Sequence, residues 1–278
     1  MPTVRELLLA ASELPGDRPA RDAEILLCHC LGKPRAWLYT WPEETVASEC
    51  TARYRALLAE RKTGQPVAYL TGTREFWSLR LSVNSATLIP RPDTETLVAW
   101  ALELDAPRNA RVLDLGTGSG AIALAVASER PDWQLLAVDN SVAALQVARA
   151  NAASLKLDRV DFRESNWFDA LDDQRFDLLL SNPPYIDPRD AHLEQGDLRF
   201  EPRQALVATD GGLDDIRQLV KRAPARLKQG GWLLLEHGCE QADNVCALLR
   251  GEGFSRVETR MDLAGLPRIS GGQWHAVG

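Results

Sequence analysis

Asn182-Pro183-Pro184-Tyr185 follows directly on the apolar run FDLLLS at 176–181. Two prolines fix φ and donate no N–H, so the Pro183 carbonyl is held in one direction. The Asn182 side-chain oxygen can face the same space. Two fixed acceptors suit a planar –NH₂ group, and the Tyr185 ring can stack on it. The nitrogen of an amide or an exocyclic amine is a poor nucleophile, because its lone pair is delocalised into the adjoining π-system. Hydrogen bonds to Asn182 and Pro183 would turn that lone pair toward an electrophile. They would also stabilise the positive charge that grows on nitrogen in the transition state. Alignment for in-line displacement supplies much of the remaining rate. If the electrophile is a sulfonium methyl, the leaving group is a neutral thioether and needs no acid, and the methylated nitrogen can lose its proton to water. The absence of a His or Glu beside the motif is therefore no objection, and no catalytic metal is expected. A Pro-Pro pair can also simply stop a strand, but the flanking Asn and Tyr argue for the chemical reading.

A second constellation reads Asp114-Leu115-Gly116-Thr117-Gly118-Ser119-Gly120, after a predicted strand and before an apolar helix. Alternating glycines permit a tight turn and close approach of a ligand to the backbone, and the helix that follows presents free N–H groups. Asp139 ends the next predicted strand, about 20 residues beyond the last glycine, where an acid accepts hydrogen bonds from both ribose hydroxyls of a nucleoside cofactor. A dinucleotide fingerprint would read G-x-G-x-x-G. This turn reads G-x-G-x-G and is led by an acid, which suits a ligand with positive charge and no phosphate. S-adenosylmethionine fits that description and NAD does not.

These residues need a frame. From residue 111 the apolar pattern alternates strand and helix: strands at 111–115, 134–139, 160–163, 176–181, 232–236 and 254–259, with a last one within 268–277. Helices fit at 121–129, 142–155, 214–227 and 241–250. This predicts an α/β fold with a mainly parallel sheet covered on both faces. Residues 1–65 read as helical, at 5–14, 22–31 and 48–62, with Trp37 and Trp41 in a connection. That bundle carries no reactive constellation and is expected to dock a partner or substrate. Leu79, Leu81 and Val83 alternate with polar residues, so 67–89 predicts a hairpin. Asp93 is placed to cap a helix starting near Thr94. The domains expected are 1–65, helical and docking; 66–92, a hairpin linker; and 93–278, catalytic.

Of 278 residues, 45% are hydrophobic and 26% charged, which predicts a folded globular protein. No stretch approaches the roughly 18 apolar residues of a membrane span. Glu6 and Glu13 bracket the short apolar run at 7–11, unlike an export signal, so a cytoplasmic protein is expected. A net charge of −7 with no basic stripe counts against a nucleic-acid partner. The five cysteines are odd in number and scattered, as reduced thiols would be. Cys28-His29-Cys30 lacks a second ligand pair, and on a helix these neighbours do not share a face, so packing rather than metal binding is expected.

On these residues the chain resembles the protein N5-glutamine methyltransferases that modify peptide chain release factors, the HemK type. The resemblance runs through GQPVAYLTGTREFWSLRLSV at 64–83, IPRPDTE at 89–95, DLGTGSGAIALAVA at 114–127, SNPPYI at 181–186, EPRQAL at 201–206 and EHG at 236–238. It implies an N-terminal helical bundle, a β-hairpin linker and a seven-stranded, Rossmann-like methyltransferase domain. It implies S-adenosylmethionine as donor, S-adenosylhomocysteine as product, and the glutamine of a Gly-Gly-Gln motif in class I release factors as acceptor. Carried over by position, Gly116, Thr117, Gly118, Ser119 and Gly120 line the methionine part of the cofactor and Asp139 its ribose. Trp167 packs by the adenine, and Asn182, Pro183, Pro184 and Tyr185 hold the glutamine amide. The chain reads Ser165-Asn166-Trp167 where many members carry an acid before the tryptophan, so the adenine amino contact would fall to the Asn166 oxygen. Glu201 and Arg203 receive no role.

NPPY chemistry is shared with enzymes that methylate N6 of adenine or N2 of guanine in nucleic acids. The acidic net charge and the absence of a basic arm favour the protein substrate. A cofactor-binding adaptor would not need two acceptors aimed at an amino group. The chain's own Gly271-Gly272-Gln273 is expected to form a tail strand rather than a methylation site.

Overall fold

In the computed structural model, which describes residues 1–11, 14–16 and 18–276, the chain forms two compact units. The first takes Met1–Thr73 together with Ala191–Phe200, and the second Arg74–Asp190 and Glu201–Gly278.

The first unit is helical, with helices at Val4–Leu9, Pro19–Leu31, Arg35–Thr40, Ser48–Lys62 and Val67–Thr71. Thr3 and Glu6 cap the first helix reciprocally, each side chain accepting the other's backbone N–H. Leu7, Leu26, Leu27, Leu38, Tyr54 and Leu58 form the core. The buried Arg61 ties it together. Its Nε donates to Asp22 at 2.8 Å, and its Nη1 donates to the carbonyls of Gly64 and Gln65 and reaches Asp197 at 3.5 Å.

Three details differ from the sequence reading. The helix predicted over 5–14 ends at Leu9, and residues 12 and 13 lie outside the described part. The connection holding Trp37 contains a helix that starts after Pro34 and buries Leu38. Residues 67–71 are helical, between Pro66 at the start and a left-handed Gly72 at the end, so the hairpin is shorter than predicted.

That hairpin pairs β1 (Thr73–Phe76) with β2 (Leu79–Ser82). Its two turn residues, Trp77 and Ser78, both have positive φ, 51° and 60°, a geometry usually given to Asn-Gly. Carboxylates hold it from outside: Glu95 accepts the Trp77 N–H and Glu129 the indole N–H, each at 2.8 Å. A 3-10 turn at Pro92–Thr94 precedes the helix Glu95–Glu103. Asp93 caps neither, and its carboxylate lies 3.6 Å from Arg268 instead.

The seven-stranded sheet consists of β3 (Arg111–Leu115), β4 (Gln134–Asp139), β5 (Asp161–Glu164), β6 (Phe176–Ser181), β7 (Leu227–Glu236), β8 (Ser255–Met261) and β9 (Pro267–Gln273). The order is β5-β4-β3-β6-β7-β9-β8, parallel throughout except for β9. Every residue of β6 is buried, which explains its uninterrupted apolar sequence. Leu178 and Leu180 pack into one face with Trp100 and Leu124. Leu179 packs into the other with Leu113, Phe168 and Ile216. The helix predicted over 214–227 stops at Arg222, where Pro224 forces a 3-10 turn. The last strand ends at Gln273, and residue 277 lies outside the described part. No described helix is long and apolar enough to cross a membrane.

Candidate functional site

Strand order reverses between β3 and β6, the place where open α/β sheets present ligands. Val138 pairs with Leu115, Leu115 with Ser181, and Ser181 with Leu235. The residues one step further, Asp139, Gly116, Asn182 and Glu236, therefore form a row along the carboxyl edge of four adjacent strands.

A cleft of about 660 Å³, partly open to solvent, lies over this row. Of the residues singled out by sequence, Gly116, Gly118, Asp139, Trp167, Asn182 and Pro184 line it. Thr117, Ser119, Gly120, Pro183 and Tyr185 are not among its walls. Asn166 and Ser165 line it beside Trp167. Asp139 is the only charged side chain in the wall among the described residues. Its Oδ2 accepts the Gly118 N–H at 2.9 Å and its Oδ1 the Ser141 N–H at 2.8 Å. Burial pushes the Asp139 carboxyl up, and those backbone donors pull it back down. A pyrophosphate would meet this carboxylate with no Lys or Arg to balance it, whereas a cationic nucleoside meets an acceptor.

Gly116, Gly118 and Gly120 all have positive φ, and a Cβ on Gly116 would stand 3.3 Å from the Trp167 ring. Trp167 lays its ring against that glycine and donates its indole N–H to Asp215 at 3.2 Å. Asp114 is turned away from the cleft. It is fully buried and accepts from the Thr117 hydroxyl at 2.6 Å and from the Ala123 N–H at 3.2 Å, tying the turn to the helix Ala121–Glu129. Burial pushes its carboxyl up to about 7. The leading acid thus builds the turn rather than facing a ligand.

In the NPPY segment Pro183 is buried, and the Asn182 Nδ2 donates to the Thr94 hydroxyl at 3.3 Å. The Tyr185 hydroxyl donates to Glu236 Oε1 at 3.2 Å, and the Tyr185 carbonyl accepts from Gln241 Nε2 at 3.0 Å. A Cβ on Gly212 would fall 2.1 Å from that carbonyl oxygen, so only glycine lets the two loops approach.

Thr94, Glu201, Gly212, Glu236 and Gln241 escaped the reading by motif chemistry, although Thr94, Glu201 and Glu236 fall within blocks quoted for the resemblance. Glu201 has a fully buried side chain. Its Oε2 accepts the Ile89 N–H at 2.9 Å, and its Oε1 pairs with Arg91. It fastens the segment carrying Thr87 and Leu88 to the loop carrying Pro202 and Gln204, all of them cleft walls. Glu201→Ala leaves a buried N–H and a guanidinium without their acceptor. It is expected to lower unfolding free energy by about 2–4 kcal/mol, read from the midpoint of a urea titration.

The chain's own Gly271-Gly272-Gln273 lies in β9, where Gln273 pairs with Trp232 and donates to the Gly230 carbonyl at 2.9 Å. That places Gln273 at the far end of the β7–β9 ladder from Glu236, four strand positions or about 13 Å along β7. Incubation with S-adenosylmethionine alone is expected to add no methylene mass to the intact protein. Among the described residues no group of three or more metal-ligating side chains occurs. His29 Nε2 sits 2.7 Å from Arg53, and Cys28 and Cys30 pack on the helical core.

The chain is similar to known proteins along its whole length. A family model of the methyltransferase small domain matches residues 93–214, and one of the PrmC N-terminal domain matches residues 6–72. It is 52% identical to the release factor glutamine methyltransferase of Xylella fastidiosa (strain Temecula1), over 98% of each chain. It is 53% identical to that of Pseudomonas aeruginosa, over 96% of this chain and 97% of the relative. Among solved structures, a methyltransferase from Pyrococcus furiosus shares the fold, with a TM-score of 0.55 at 17% identity, covering 83% of this chain and 100% of that one.

Proposed function

The chain belongs to the release factor glutamine methyltransferase family, and from that premise we propose that it methylates the side-chain amide nitrogen of the glutamine in the Gly-Gly-Gln motif of class I release factors. The donor is S-adenosylmethionine, the product S-adenosylhomocysteine, and the place of work the cytoplasm. The observation that carries this reading is the row Asp139, Gly116, Asn182. It sets a carboxylate, an open glycine backbone and a carboxamide around one cleft that has no cationic wall among the described residues.

The residues present fit the donor. Asp139 would take the ribose hydroxyls, Gly116 and Gly118 admit the methionine part against bare backbone, and Trp167 offers a ring face toward the adenine with Asn166 beside it. Thr117, Ser119 and Gly120 support this as the body of the turn. When bound, S-adenosylmethionine supplies an electrophilic methyl on a cationic sulfur that leaves as a neutral thioether. The Asn182 oxygen and the Pro183 carbonyl accept the two N–H groups of the substrate amide, fixing its plane and stabilising the charge that grows on nitrogen. Pro184 and Tyr185 keep that pair rigid, with Tyr185 anchored through Glu236 and Gln241. None of these steps needs a metal.

The test is to incubate the protein with radiolabelled S-adenosylmethionine and, separately, with a release factor or duplex DNA. Label on the release factor glutamine is expected. Label on DNA alone would replace this reading by the nucleic-acid one.

A further inference from the structure

Asn151, in the helix Val142–Leu155, is a buried polar side chain that no motif singles out. Burying a carboxamide is costly unless its oxygen and its NH₂ group both find partners. Here they do. The Asn151 Oδ1 accepts the Ser82 N–H at 2.7 Å, and its Nδ2 donates to the Ser82 carbonyl at 3.0 Å and to the Ser119 carbonyl at 2.9 Å. One N–H on the first side and two carbonyls on the second fix which end of the carboxamide faces which way.

Both partners lead to the cleft. Ser82 ends β2, and a strand of a two-stranded hairpin has one edge without a neighbour. Asn151 gives that edge the acceptor and the donor that a third strand would bring. Beyond Ser82 the chain is short and stiff. Val83 is buried, and Asn84 accepts the Ala86 N–H through its side chain and the Thr87 N–H through its carbonyl. Ala86, Thr87 and Leu88 then form one wall of the cleft. Ser119 sits in the glycine turn, between Gly118, whose N–H goes to Asp139, and Gly120. A Cβ on Gly120 would stand 3.3 Å from the Ala148 Cβ. Ala148 and Asn151 are three positions apart on one helix face, so the turn rests on that helix at two points.

We propose that Asn151 is a positioning residue for donor binding, whose carboxamide holds the wall 86–88 and the glycine turn at the separation that S-adenosylmethionine fills. This rests on the donor reading of the cleft given above. Neither Asn151 nor Ser82 is among the cleft walls, so the effect passes through the backbone and not through contact with the ligand.

Asn151→Asp keeps the shape and the acceptor for Ser82, and turns the other end into an oxygen facing two carbonyls. Protonated, the new carboxyl still donates one bond. Ionised, it repels both carbonyls and the two walls part. The fully buried Asp114, pushed up to about 7, shows the range in which such a carboxyl titrates. Calorimetric titration with S-adenosylmethionine is expected to give a variant-to-wild-type Kd ratio within about threefold at roughly pH 6, rising to about tenfold at roughly pH 8.5. Taking the ratio at each pH removes the titration of Asp139. At saturating donor, kcat and the KM for release factor should stay within about twofold, a split that general loosening of the fold would not produce.

A second readout needs no variant. With Asn151 tying Ser82 to the glycine turn, S-adenosylhomocysteine at ten times its Kd should slow exchange of the Ser82 N–H about tenfold, although Ser82 is no part of the cleft. A Kd ratio that stays flat with pH, a loss carried by kcat instead of Kd, or Ser82 exchange indifferent to the ligand would each overturn the proposal. Wild-type protein that binds no S-adenosylmethionine would remove the donor reading and this proposal with it, whereas wild-type binding with a flat ratio removes this proposal alone.

Discussion

Asn182→Ala is expected to lower kcat for release factor methylation by about 10²–10³-fold, the scale seen when one preorganised transition-state contact is removed. Calorimetric binding of S-adenosylmethionine should remain measurable. Asn182 is half-buried, and among the described residues it donates only to Thr94, so its loss costs the fold about 1 kcal/mol. The damage is therefore confined to the acceptor. Alanine leaves the Pro183 carbonyl in place but frees one N–H of the substrate amide, and the nitrogen lone pair is no longer held in line. Turnover near that of the wild type would remove Asn182 from the mechanism.

Asp139→Ala should fail in the opposite manner. Losing the two charge-assisted bonds to the ribose, each about 1.5–3 kcal/mol, should raise the Kd for S-adenosylmethionine roughly 10²–10⁴-fold. At saturating donor, kcat should recover much of its value. The same carboxyl predicts a pH effect. Only the ionised form accepts from both hydroxyls, so affinity is full at high pH and falls as pH drops through the Asp139 pKa. Burial has raised that pKa, so the fall begins at a higher pH than for an ordinary aspartate. Calorimetric titrations at a series of pH values check both the size and the sign.

The sheet was legible because its strands are buried on both faces and its helices follow apolar periodicity. β3, β4 and β6 and the helices Ala121–Glu129 and Val142–Leu155 stand where the pattern puts them. What escaped was structure set by partners distant in sequence. The Trp77-Ser78 turn carries no Asn-Gly, because carboxylates from Glu95 and Glu129 hold it from outside. Asp114 looks like a ligand's acid, and only the folded chain shows it turned inward to Thr117 and Ala123. At the site, the residues with reactive form declared themselves through the motifs. Thr94 and Glu236 did not, because their contacts with Asn182 and Tyr185 form only in the folded chain.

The helical unit also includes Ala191–Phe200, drawn from deep within the chain. During synthesis its first 73 residues emerge without Leu193, which is buried in the finished chain, and without Asp197, which Arg61 meets 136 residues later in the chain. At 5–20 residues per second Arg61 waits about 7–27 s on the ribosome for that partner. The amino-terminal unit is thus begun first and completed only after the NPPY strand has been made. A truncation at residue 73 would isolate a fragment that never exists as a finished body.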